Sequence, residues 1–265
     1  TRIEASYIKW LEQGGGRVIP IAYDSYNEKK LDSLFEQING IFYPGGGANI
    51  SKNAEYMFHK AIEANKNGDY FPIWGTCLGF QWLAMMIAGN TDIITPLEVE
   101  NVSLSLNLTD YGLKHSYLFH QSMMQQIVQD DTVTMNNHHY GLSPAHFQQY
   151  LTPLGYQITS TNIDINNKEF VSSFEHIQLP IYGVQYHPEK NQYEQGKRAE
   201  NGGQYYEAIN HSPNAILFGQ LSSNLFINSA RKSRHFFKNQ TEENSLLIYN
   251  YQTNTNESPE FVQTY

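Results

Sequence analysis

The chain has 265 residues, enough to bury one substantial core, and carries a formal net charge of −9 with only 17 lysines and arginines. That acidic balance argues against a nucleic-acid surface, which needs clustered cations. The lone cysteine excludes an internal disulfide, and the lack of any run of eighteen apolar residues means that no membrane-spanning helix is expected.

Taken in chain order, Ile3 to Gln13 reads as a helix stopped by Gly14-Gly15-Gly16, Arg17 to Ala22 as a strand, and Glu28 to Gln37 as a second helix. Gly40 to Tyr43 is a short apolar strand running into Pro44-Gly45-Gly46-Gly47. Such a strand end leaves backbone N–H groups free to face a ligand, as a tetrahedral oxyanion requires. The run lacks the Lys-Ser/Thr ending of a phosphate loop, so the nucleotide reading is set aside. Gly46 N–H and Leu78 N–H are assigned as oxyanion donors; the competing reading of a glycine run is a flexible turn.

Ala54 to Asn67 follows as a helix and Phe71 to Trp74 as a strand, which enters Gly75-Thr76-Cys77-Leu78-Gly79-Phe80 and restarts as a helix over Phe80 to Ala88. A lone thiol is by default a buried structural residue. Here it sits at a strand-to-helix turn between two glycines, where a tight backbone aims it outward and a helix N-terminus stands behind it. Cys77 is therefore the candidate nucleophile. Gln81, one helical turn on, is expected to share its face and to border the substrate, against the competing reading of a surface glutamine.

From Ser103 to Ser173 the pattern turns to short alternating runs, such as Thr132 to Met135 and Phe170 to Phe174, expected as antiparallel additions. Ile181 to Glu189 reads as a strand that delivers His187 at its end, stopped by Pro188, with Glu189 two residues on. A strand puts positions 187 and 189 on one face, so the carboxylate can orient the imidazole. Of ten histidines, this is the one that combines a strand end with a neighbouring carboxylate. Asn214 to Arg231 reads as a helix, Leu246 to Tyr249 as a last strand, and the polar residues beyond Thr253 as a loosely ordered tail. Alternating strands and helices predict an α/β domain over 1–252, with a mainly parallel sheet flanked by helices on both faces and small antiparallel additions. The tail is 253–265.

The order of these motifs resembles the class I glutamine amidotransferase-like hydrolases, and within them the γ-glutamyl hydrolases. The stretches that carry the resemblance are Ile3 to Glu12, Phe42 to Gly46, Gly75 to Phe80, Asn137-His138-His139-Tyr140-Gly141-Leu142-Ser143-Pro144, and Gly183-Val184-Gln185-Tyr186-His187-Pro188-Glu189-Lys190 with Tyr193-Glu194. It continues through Ser212 to Ala215 and Asn228 to Arg231 to His235-Phe236-Phe237. The resemblance implies that Cys77 is the nucleophile, His187 the base and Glu189 the third member. It places His138 at the substrate, with His139 as the alternative. It also implies hydrolysis of folyl-poly-γ-glutamate through a thioester without metal or cofactor, a homodimer, and a lysosomal, vacuolar or extracellular setting. In such a family a leader and a first core strand are expected ahead of Thr1.

Two positions depart from the pattern. Gln81 stands where many γ-glutamyl hydrolases carry an acidic residue, and glutamine there is the habit of glutaminases; Gln195 stands where tryptophan is usual. Two rivals follow, a glutaminase that supplies ammonia to a synthase and a non-catalytic binding protein on the same fold. Asn-x-Ser/Thr sequons at Asn49, Asn101, Asn107, Asn210, Asn239 and Asn256 are compatible with a glycoprotein.

Overall fold

The computed structural model describes residues 2–23, 27–198, 203–255 and 260–265; the sequon at Asn256 lies outside them. The elements in order are α1 (Ala5–Gln13), α2 (Glu28–Phe35), β1 (Ile41–Tyr43), α3 (Lys52–Lys66), β2 (Ile73–Thr76), α4 (Leu78–Ala88), β3 (Ile94–Leu104), β4 (Asn107–Leu108) and α5 (Asp110–Lys114). There follow α6 (Ser122–Asp130), β5 (Thr134–Leu142), α7 (Pro144–Tyr150), β6 (Tyr156–Ile163), β7 (Glu169–His176), β8 (Ile181–Val184), α8 (Lys190–Tyr193), α9 (Pro213–Ala230) and α10 (Gln240–Leu246). The helix starts follow the capping chemistry of their residues: Asn27, Ser51, Ser143 and Ser212 each accept a backbone N–H two or three residues into their helix.

Six strands form one sheet in the order β1-β2-β8-β7-β6-β4, parallel from β1 to β8 and antiparallel from β8 to β4. β3 and β5 form a separate antiparallel pair. Side chains alternate across a strand, and here each alternate goes to a different core. Ile41, Tyr43, Ile73 and Ile181 join α2, α3, α4 and α7 through Leu31, Met57, Phe80 and Phe147. Trp74, Tyr182 and Val184 join α1, α6 and α9 through Trp10, Val128 and Phe226 on the opposite face. The sheet is thus covered on both sides, and the antiparallel strands β7, β6 and β4 extend it beyond β8. No helix among the described residues is long and apolar enough to cross a membrane.

Three expectations fail. Arg17 to Ala22 forms no ladder: Val18 and Ile21 instead line a cavity of about 830 Å3 together with Phe42 of β1 and Phe226 of α9. Leu246 to Tyr249 is not a strand but the end of α10 and a 3-10 turn over Ile248–Asn250, tied by one backbone bond, Ile248 N–H to Val18 O at 2.9 Å. The tail is not loose over 260–265. Tyr265 and Ile3 exchange backbone bonds of 2.9 and 3.0 Å, Ala5 N–H donates to Gln263 O, and Val262 N–H donates to the buried Glu194 carboxylate at 2.9 Å.

Candidate active site

Cys77 lies between β2 and α4 with φ 53° and ψ −106°, a conformation that residues with a side chain rarely adopt and that marks a sharp nucleophile elbow. Its N–H is anchored to Val184 O on β8 at 2.9 Å, and Gln81 N–H returns to its carbonyl at 3.1 Å. The bend needs Gly79: a Cβ there would stand 2.0 Å from Tyr43 O, so only a glycine lets α4 close on the end of β1. Leu78 is the first residue of α4, where helix geometry leaves N–H groups without an intrahelical partner. Gly46, with φ 142°, faces Leu78 at 3.8 Å from its Cβ position. The neighbouring Gly45 N–H is taken by the Tyr7 hydroxyl at 3.0 Å.

His187 lies beyond the end of β8, held by its own N–H to Met135 O of β5 at 2.9 Å. The expected strand to Glu189 therefore stops at Val184, and Glu189 opens α8. The pair is nonetheless tight: His187 Nδ1 donates to Glu189 Oε1 at 2.7 Å with both side chains buried. Burial opposes the imidazolium, but Glu189 and the hydrogen-bonded Cys77 outweigh it and raise the His187 pKa to about 10. Glu189 Oε2 has no hydrogen-bond partner among the described residues. Gly45 packs against both His187 and Cys77, its Cβ position 3.0 Å from His187 Cε1 and 3.4 Å from Cys77 Cβ.

β5 forms the rim. Met135 holds His187 at one end, Tyr140 O accepts from Gln81 Nε2 at 2.8 Å at the other, and His138 lies between them, buried. Burial pushes His138 down to about 3, against the pull of the Tyr140 carbonyl on Nδ1 at 3.0 Å, so it is neutral beside His187. The adjacent His139 is exposed and pairs with Glu100. Gln81 is buried, which removes the surface reading, and its amide also reaches Gln185 Oε1 at 3.3 Å.

Three neighbours escaped the sequence reading. Tyr7 of α1 places its hydroxyl 3.3 Å from His187 Nδ1 while holding Gly45, and so links the glycine loop to the imidazole. Gln185 is fully buried, and its Nε2 has no partner among the described residues. Lys190 directly follows Glu189 and pairs with Glu207. Tyr7 and Lys190 stand inside quoted motifs and Gln185 two residues before His187, but nothing local in the sequence singles out Glu207.

A three-layer α/β domain with a cysteine elbow and a carboxylate-held histidine defines a class of hydrolases and amidotransferases, and the family model described as "Glutamine amidotransferase class-I" matches residues 4–203. Among curated proteins, γ-glutamyl hydrolase B of Dictyostelium discoideum is 36% identical over 93% of this chain and 71% of its own length. The γ-glutamyl hydrolase of Homo sapiens is 36% identical over 94% and 77%, and that of Rattus norvegicus 37% over 94% and 77%. The chain belongs to the γ-glutamyl hydrolase family.

Proposed function

We propose that the protein hydrolyses γ-glutamyl amide bonds, most fittingly those of folyl-poly-γ-glutamates, with Cys77 as nucleophile. The observation that carries this reading is His187 placed between the strained Cys77 and the buried Glu189. Cys77 Sγ attacks the γ-carbonyl carbon, and the proton it gives up is held on His187. The oxyanion is met by Gly46 N–H and Leu78 N–H. When the C–N bond breaks, His187 passes its proton to the leaving amine and a γ-glutamyl thioester remains. Water, deprotonated by His187, then breaks the C–S bond and restores the thiol. Glu189 orients the ring throughout, while neutral His138 and Gln81 border the glutamyl group. A small-molecule substrate accords with the named relatives, and we propose a lysosomal, vacuolar or extracellular site of action. We further propose one domain over 1–252 and assembly as a homodimer.

The test is incubation with folyl-pentaglutamate and, separately, with glutamine. The expected products are glutamate or shorter γ-glutamyl chains from the first and little ammonia from the second, with both reactions abolished and the fold retained in Cys77→Ala. Ammonia from glutamine as the main product would favour the glutaminase reading, and full turnover by Cys77→Ala would end the cysteine mechanism.

A further inference from the structure

Lys190 is adjacent in sequence to Glu189 and within electrostatic reach of His187. Both oxygens of Glu207 hold its Nζ, at 2.5 and 2.6 Å, and the two side chains are only 6% and 9% exposed. Asn137 Nδ2, from the rim strand β5, donates to Glu207 Oε1 at 2.8 Å, and the Phe261 ring lies 5.6 Å from Lys190 Nζ. Glu207 itself comes from an irregular segment between α8 and α9, fastened by Ala208 N–H to Asn101 Oδ1 at 2.6 Å and by Ser103 Oγ to Ala208 O at 2.9 Å. Its carboxylate also senses His187, which helps to hold it ionised.

We infer that Glu207 is an internal stand-in for a substrate carboxylate: it occupies Lys190 in the free protein and must be displaced when a γ-glutamyl chain seats its own carboxylate there. The inference rests on the γ-glutamyl reading above. The chemistry of the two occupants is the same, a carboxylate meeting an ammonium at a partly dry site with an amide donor beside it. A chain with a net charge of −9 has little general attraction for a polyanion, so a cation at the centre decides much of the encounter. Occupation by Glu207 raises the affinity that a substrate must reach. A ligand with several linked carboxylates gains effective concentration at Lys190 once any one of them is bound, whereas free glutamine has no second carboxylate to offer. Glu207 thereby filters for poly-γ-glutamyl chains.

The test uses the inactive Cys77→Ala protein and tri-γ-glutamate as probe, with binding read by calorimetry. Glu207→Gln keeps the shape of the side chain and removes its charge, and should lower the Kd at least about tenfold, within the range measured for close charge pairs. Glu207→Asp keeps the charge and shortens the reach, and should fall between the two; it also serves if Glu207→Gln does not fold. In a Lys190→Gln background the Glu207→Gln gain should vanish. An unchanged or weaker Kd in Glu207→Gln, or a gain that survives loss of Lys190, overturns the inference while leaving the γ-glutamyl reading intact. Absence of binding to every variant, Glu207 present or not, overturns both.

Discussion

At the scale of single residues, the site is a balance of charges out of water. His187→Asn removes the proposed proton carrier and should lower kcat/KM by roughly a thousandfold or more, whereas Glu189→Gln, at a residue proposed only to orient the ring, should cost roughly a hundredfold less than that. Steady-state rates of the two variants check the ranking. The two buried histidines also set opposite limits on stability. His187 has its pKa raised from 6.5 to about 10, so the stabilisation it gains is complete below pH 6.5 and is lost as pH rises through 10. His138 is lowered from 6.5 to about 3, so the unfolded chain takes up a proton first and stability is lost as pH falls from 6.5 toward 3. Melting temperatures measured across pH should therefore show a weaker alkaline decline in Glu189→Gln and a weaker acid decline in His138→Gln. A wild-type profile flat over both ranges would contradict these assignments.

At the scale of elements, the elbow is a close approach of β1 and α4 that no side chain can enter. Gly79→Ala puts a methyl group onto the Tyr43 carbonyl; it should cost at least about 1–3 kcal/mol in denaturant unfolding and reduce turnover further by displacing Cys77. Gly47→Ala meets nothing within 4 Å and should leave both unchanged. The pair separates the glycine that the turn requires from one that merely stands near it. This difference also explains what the sequence could disclose. Cys77 and His187 with Glu189 were legible because each is punctuated locally, by glycines at 75 and 79 and by Pro188. Tyr7 was not, because its role depends on where α1 packs across the sheet. β3 was never located, since Pro96 and two register shifts blur its alternation. The misread strand at Arg17 to Ala22 has the apolar composition of one, but pairing depends on a neighbour that composition cannot show.

At the scale of the whole molecule, residues 3–5 and 260–265 pair with one another beside the site. Residues 260–265 tie down the entry to α1 through Ile3 and Ala5, and Val262 satisfies the buried Glu194. Removing them frees three backbone bonds to that entry and leaves a buried carboxylate without its amide donor. A chain ending at 259 should thus lose roughly 2–4 kcal/mol and lose turnover through Tyr7, measurable as a lower melting temperature together with a reduced kcat. A variant as stable and as active as the full chain would show that the clasp is ornamental. Cys77 and His187 depend on a different tie. Thr76 pairs with Val184 in the ladder between β2 and β8, and Cys77 and His187 both follow within three residues of that rung. Their spacing is consequently set by neighbouring rungs of one sheet together with the bond from His187 N–H to Met135 O of β5. The exposed turn at Ile165 lies outside those ties and can be recut without detuning the chemistry. A circular permutant reopened at the exposed Ile165 turn and joined elsewhere by a linker should reassemble the same thiol and imidazole.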